Sequence, residues 1–163
     1  MTASTATPPS KTPRWYWEDF PAGHRMAFGG MTVAHDAVIA FATQFDPQPF
    51  HVDEEAARQS LFGGLCASGW HTCAMAMRMM CDGYLLDSAS LGSPGIDQLR
   101  WLKPVFPGDV LGVRLEVKQA RPMASRPGVG LVQFEWHVHN QHHEDVLAME
   151  GWGMFRRRDA TTA

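Results

Sequence analysis

Phe45 to Met80 reads FDPQPFHVDEEAARQSLFGGLCASGWHTCAMAMRMM, and its second half decides the fold. From Gly69 toward Cys81, Trp70, Cys73, Ala74, Met75, Ala76, Met77, Met79 and Met80 occupy nearly every side of a helix. Only His71, Thr72 and Arg78 interrupt them. A short helix that is apolar all round has no face for water and must be wrapped by something else. Ser68 is a good N-cap for it, and Gly63-Gly64 breaks the segment before it. The methionines read as flexible core filler rather than as a soft metal site.

The wrapping material lies downstream. Leu111, Val113, Leu115 and Val117 alternate with Gly112, Arg114, Glu116 and Lys118. Val132, Phe134, Trp136 and Val138 alternate likewise with Gln133, Glu135, His137 and His139. Both are half-buried strands by the period-two rule. Ile96 to Leu102 and Val146 to Phe155 are further strands of mixed alternation, and turns fall at Phe106 to Asp109, Pro122 to Gly128 and Asn140 to Asp145. A meander of about four strands after a helical half makes the chain α+β with an antiparallel sheet.

Upstream, Met1 to Pro13 carries no periodic pattern and reads as a disordered tail, and residues 159–163 form a C-terminal tail. Between them, 14–158 fits one domain, and a chain of this length buries roughly 70% of its unfolded surface without staples. Trp15, Tyr16, Trp17 and Phe20 crowd together and ask to be packed. Arg25 to Phe28 forms a short strand closed by Gly29-Gly30, and Thr32 caps a helix that lays Val38, Phe41, Ala42 and Phe45 on the core. That helix ends by Phe45, since Asp46 and Gln48 each precede a proline and are pushed toward extended conformations. Asp53 caps a short acidic helix through Arg58.

Composition excludes several functions. A formal net charge of -3 argues against a nucleic-acid partner. No apolar run approaches a membrane span and no signal-peptide core precedes the domain, so the expected location is cytoplasmic. Cys66, Cys73 and Cys81 lack CxxC spacing and read as small apolar residues in a reducing compartment. No dinucleotide or nucleotide-triphosphate fingerprint is present. Ser68 is not a hydrolase nucleophile, because Cys66 and Trp70 occupy the positions where that elbow needs glycine. His137, His139, His142 and His143 could ligate a metal, but they sit on a polar strand face and its turn, and no metal is expected.

Asp46 and His51 are the better chemistry. A carboxylate and an imidazole together can poise a water, one as base and the other to orient it. The prolines lower the entropy cost of holding such a loop. Five extended residues would set the two groups roughly 16 Å apart, so the chain must turn between them. The same pair also suits turn bonds and solvent, and spacing alone does not choose. The helix start at Ser68-Gly69-Trp70 offers free N–H groups and the positive dipole end, suited to a developing oxyanion, and Gly69 lets a carbonyl approach. A plain capped core helix has the same features.

FATQFDPQPFHVDEEAA resembles the MaoC-like dehydratase and (R)-specific enoyl-CoA hydratase pattern, in which Asp-x-Asn-Pro-x-His-x-Asp follows a helix. The bend at Phe62 to Gly69 and the downstream LKPVFPGDVLGVRLEV match in order and spacing, so that the similarity covers Trp17 to Phe155. The resemblance implies the hot-dog fold, a long central helix wrapped by an antiparallel sheet, commonly as a homodimer or higher homo-oligomer. It implies an acyl thioester substrate on coenzyme A or an acyl carrier, with interconversion of trans-2-enoyl and 3-hydroxyacyl forms and no metal or redox cofactor. Asp46 and His51 would activate the water, and the Gly69 N–H would polarise the thioester carbonyl, with Ser68 and Trp70 beside it. Gln48 stands where the family usually has asparagine, Ser68 where many members have histidine, and Met77 where some hydratases carry a serine near the catalytic pair. Trp70 and the methionines would crowd the acyl pocket and point to short or unusual acyl chains. A thioesterase on the same fold and a non-catalytic acyl-thioester binding or dimerisation module are the competing readings.

Overall fold

A computed structural model describes residues 12–158, so all but Thr12 and Pro13 of the two expected tails lie outside the described residues. The chain runs through a 3-10 turn at Trp17–Asp19, then β1 (Arg25–Thr32), α1 (His35–Phe45), α2 (Pro49–Val52), α3 (Glu54–Arg58) and α4 (Gly69–Gly83). A 3-10 turn at Leu85–Asp87 leads into β2 (Ser90–Trp101), β3 (Val110–Pro122), β4 (Val129–His139) and β5 (Asp145–Arg156). All strand pairs are antiparallel, in the order β1-β3-β4-β5-β2. The sheet carries α4 against one face, which is the α+β, hot-dog arrangement.

Alternation in β3 and β4 does what period two requires. Leu111, Val113, Leu115 and Val117 are buried, as are Val132, Phe134, Trp136 and Val138. They form one core cluster with Met75, Ala76, Met79 and Met80 of α4, also buried. Beyond the helix the core is aromatic: Phe20 is fully buried, its ring 4.7 Å from Phe155, 5.6 Å from Phe134 and 5.9 Å from Tyr84. Phe20 thus anchors the N-terminal aromatic group, and Trp17 Nε1–H donates to the Leu131 carbonyl at 3.2 Å.

Four expectations change. First, α4 is not wrapped on all sides, since Trp70 is 60% and Met77 50% exposed while His71 and Thr72 are buried in their place. A single sheet covers only one side of a helix, and the apolar stripe through Trp70, Ala74 and Met77 is left open. Second, β1 runs through Gly29-Gly30 as a bulge, with a register shift between Gly29 and Met31, and does not stop there. Third, Thr32 is the last residue of β1 and caps nothing; α1 starts after Ala34, which offers no side-chain cap. Of its expected core positions Val38 and Ala42 are buried, whereas Phe45 is exposed.

Fourth, β2 begins six residues before the strand read from Ile96, at Ser90. It is an edge strand, exposed along almost its whole length, with Pro94 inside it. Gly92 and Gly95 take positive φ values of 100° and 156°, backbone that side-chain-bearing residues rarely adopt, and the register against β5 shifts at both. Among the described residues no helix is long and apolar enough to cross a membrane.

Candidate active site

Two Xaa-Pro bonds end α1 and force the next residues out of the helix. Asp46 is its C-cap, the backbone N–H donating to the Ala42 carbonyl at 2.9 Å, and Gln48 is extended at φ -72°, ψ 140°. Pro49, pre-set for a helical first turn, then starts α2. This single turn is the reversal that the Asp46 and His51 spacing demanded. It returns the His51 ring until Nε2 stands 3.6 Å from Asp46 Oδ2. That is too long for a direct hydrogen bond, and it suits a small polar group held against both.

The His51 ring is fixed from behind. Its Nδ1 lies 2.8 Å from the Cys66 carbonyl, which can only accept, so Nδ1 carries the proton and Nε2 presents its lone pair toward Asp46 in the neutral ring. Phe50 packs edge-on to the imidazole at 4.6 Å. Cys66 is buried and burial pushes its thiol up to about 11, so the thiol stays neutral beside the imidazole.

Both Asp46 oxygens are engaged. Ser68 Oγ–H donates to Oδ2 at 2.6 Å, and Gln48 Nε2–H donates to Oδ1 at 2.8 Å. The Ser68 hydrogen bond is the main cause that holds the carboxyl below its usual range, against partial burial and aided by Gln48 and His51. Ser68 also accepts from Trp70 N–H at 3.3 Å, so it caps α4 as read from the sequence. Its side chain is fully buried behind Asp46 and does not line the cleft.

Asp46, Gln48, His51, Gly69 and Trp70 line one cleft of about 510 Å³. Gly69, the first residue of α4, brings its backbone to the wall, where N–H groups of the first helical turn have no intrahelical partner. The Trp101 indole lies on it: a Cβ at Gly69 would stand 2.5 to 2.9 Å from three ring atoms. Trp70 meets the same indole edge-on at 5.3 Å. The cleft therefore brings together Asp46, His51, Gly69 and Trp70, with Ser68 one layer behind. Met77, which the resemblance sets near the pair, does not line it, and neither do the other methionines of α4.

Sequence reasoning missed Trp101, Phe62 and Lys103 in the lining, and the Cys66 carbonyl. The Leu102-Lys103-Pro104 run after β2 was a usable signal, since a proline just past a strand aims the chain end. A backbone carbonyl leaves no signal in residue type. The four histidines of β4 and its turn do not converge: His137 lies 2.9 Å from Asp145 and 3.3 Å from Glu135, while His139 bonds the Asn140 carbonyl. A depression of about 590 Å³ over the outer sheet face holds Arg25, Arg114, Glu116, Glu135, His137 and Asp145. Its charges pair with one another, Arg25 with Glu116 at 2.9 Å and Arg114 with Asp145.

Comparison with known proteins gives one family. The pattern of the MaoC-like domain matches residues 20–134. The chain is 31% identical to the uncharacterised protein YdeM of Bacillus subtilis over 135 residues, 82% of this chain and 92% of that one. A solved MaoC-like dehydratase from Rhodospirillum rubrum superposes with a TM-score of 0.82 at 42% identity, covering 88% of this chain and 98% of the other. A Mycobacterium tuberculosis protein with a double hot-dog fold superposes at a TM-score of 0.77 and 19% identity over 91% of this chain and 46% of its own, a likeness of fold alone.

Proposed function

The chain belongs to the MaoC-like dehydratase family, and from that premise we propose that it interconverts trans-2-enoyl and 3-hydroxyacyl thioesters. The observation that carries this reading is the shared cleft: Asp46 and His51 converge to 3.6 Å on one wall, and the N-terminus of α4 at Gly69 opens on the same space. In hydration, a water held by the pair gives its oxygen to C3 while the C2=C3 π electrons move toward the thioester carbonyl. The Gly69 N–H stabilises the enolate oxygen. The Asp46–His51 pair takes one proton from the water and returns one to C2, which leaves the pair as it began, and dehydration runs the same steps in reverse. The thioester supplies the acidity at C2, so the reaction needs neither metal nor redox cofactor. The carrier would be coenzyme A or an acyl carrier, and Trp70 with Trp101 bounds the space left for the acyl chain.

We further propose a homodimer, supported by the open stripe of α4 and the unpaired edge of β2, and a cytoplasmic setting, supported by three free thiols. The deciding experiment incubates the purified protein with enoyl thioesters of graded chain length. It follows loss of the enoyl absorbance and release of free thiol in parallel. Loss of enoyl absorbance without thiol release is expected. Thiol release alone would replace the reading with a thioesterase, and tight binding without turnover across the series would reduce the protein to a thioester-binding module.

A further inference from the structure

Ser68 has one hydroxyl hydrogen, and the structure commits it. The oxygen accepts from Trp70 N–H at 3.3 Å, and the hydrogen goes to Asp46 Oδ2 at 2.6 Å, within the range of a charge-assisted O–H···O⁻ bond. Ser68 is fully buried, so solvent does not compete for its hydroxyl. Gln48, which holds Oδ1, is exposed, so its bond is one that water can remake. Of the two donors on the carboxylate, only Ser68 is held in the interior.

We propose that Ser68 is the positioning residue of this site, fixing the Asp46 carboxylate against His51 through its hydrogen bond to Oδ2. The same oxygen faces His51 Nε2 at 3.6 Å, so Ser68 decides which face of Oδ2 is left for the imidazole and the water. The bond is strongest to the ionised carboxylate and weakens when Asp46 is protonated, so it opposes protonation. This agrees with the lowered Asp46 carboxyl, whose largest cause is this hydrogen bond. Because Ser68 is also the cap of α4, one side chain links the helix end meant for the carbonyl to the carboxylate meant for water. The other titratable groups near the pair are the Cys66 thiol, 3.7 Å from His51 Nδ1, and Lys103 on the cleft wall, whose ammonium is paired with Glu144.

The test follows the side-chain carboxyl carbon of Asp46 by NMR across a pH titration, in carboxyl-labelled wild type and in Ser68→Ala, with the His51 ring nitrogens read in the same samples. Asp46 is expected to titrate at higher pH in Ser68→Ala. Ser68→Thr, which keeps the hydroxyl, is expected to restore the wild-type value. Asp53→Ala removes the cap of α3, whose carboxylate accepts Ala56 N–H at 2.7 Å, and is expected to lose stability without moving Asp46. Should Ser68→Ala not fold, Ser68→Cys keeps a side chain of similar size with a weak donor and must move Asp46 in the same direction. In turnover, which rests on the hydratase reading, Ser68→Ala is expected to lower kcat about 10- to 100-fold, with KM changed far less. An Asp46 titration that is the same in wild type and Ser68→Ala overturns the proposal, whatever the activity. A shifted titration in a protein that hydrates no enoyl thioester leaves the proposal standing and removes the proposed reaction instead.

Discussion

Replacing Asp46 by asparagine separates the chemistry of the site from its architecture. The carboxylate accepts from Ser68 at 2.6 Å on one oxygen and from Gln48 at 2.8 Å on the other. Asparagine has one oxygen and one NH2, so with Ser68 and Gln48 oriented as they are, one donor faces a donor. If the amide turns its oxygen to buried Ser68, the mismatch falls on exposed Gln48, which can swing to water. The loss is then one charge-assisted hydrogen bond weakened to a neutral one, on the order of 1–2 kcal/mol. In a protein of this size that lowers Tm by roughly 2–8 °C. The rate is another matter: without the carboxylate the pair cannot share the water's proton, and kcat should fall about 10²- to 10⁴-fold. The stability gap also has a pH signature. The folded-state pKa of Asp46 is depressed, so its stabilisation is full above the unfolded value of about 4 and is lost as pH falls through the folded value. Thermal melts of both proteins from pH 7 down to pH 3, beside enoyl-thioester assays at pH 7, measure the two effects. Turnover of the variant within tenfold of wild type, or a stability gap that stays constant into acid, refutes the reasoning.

Two further substitutions probe the walls of the site. Gly69→Ala puts a Cβ 2.5 to 2.9 Å from the Trp101 ring; the half-exposed indole gives way, so the fold should hold within about 1 kcal/mol while kcat/KM drops at least tenfold. A fully active Gly69→Ala would remove the N-terminus of α4 from the mechanism. His71 is buried against Phe41, stacked at 4.7 Å with Nδ1 unbonded, and burial lowers its pKa. Its contribution is therefore full above the unfolded value of about 6.5 and lost as pH falls below it. The Tm of His71→Phe relative to wild type should rise between pH 7.5 and pH 5, and an unchanged difference would count against a buried neutral imidazole.

Much of this was legible because burial writes itself into period. Leu111 to Val117 and Val132 to Val138 alternate since every second side chain must go under α4. Ser90 to Pro94 was not legible, because an edge strand exposed on both faces has no alternation to encode. The apolar composition of α4 measures how much surface asks for cover without naming what covers it, which is why exposed Trp70 and Met77 were misread. At the site, residue type picked out Asp46 and His51, and the need for a turn between them followed from chain geometry. The turn itself, Pro49–Val52, is too short to show a period. Ser68 announced itself as a cap; its second bond, to a residue 22 positions earlier, is a tertiary fact that local pattern does not hold.

The irregular half of β2 has a consequence for the protein in a crowded solution. A free sheet edge is a template on which any extended chain can grow, and fibres begin that way. Here the edge between Ser90 and Ile96 offers no N–H at Pro94 and changes register around Gly92 and Gly95, so an incoming strand cannot keep step with it. Only the regular run from Gln98 to Trp101 can accept a neighbour in register, and it ends beside the cleft. Indiscriminate stacking is thereby discouraged along most of this edge, and the segment of it that keeps a regular register is the one whose occupation the site would feel.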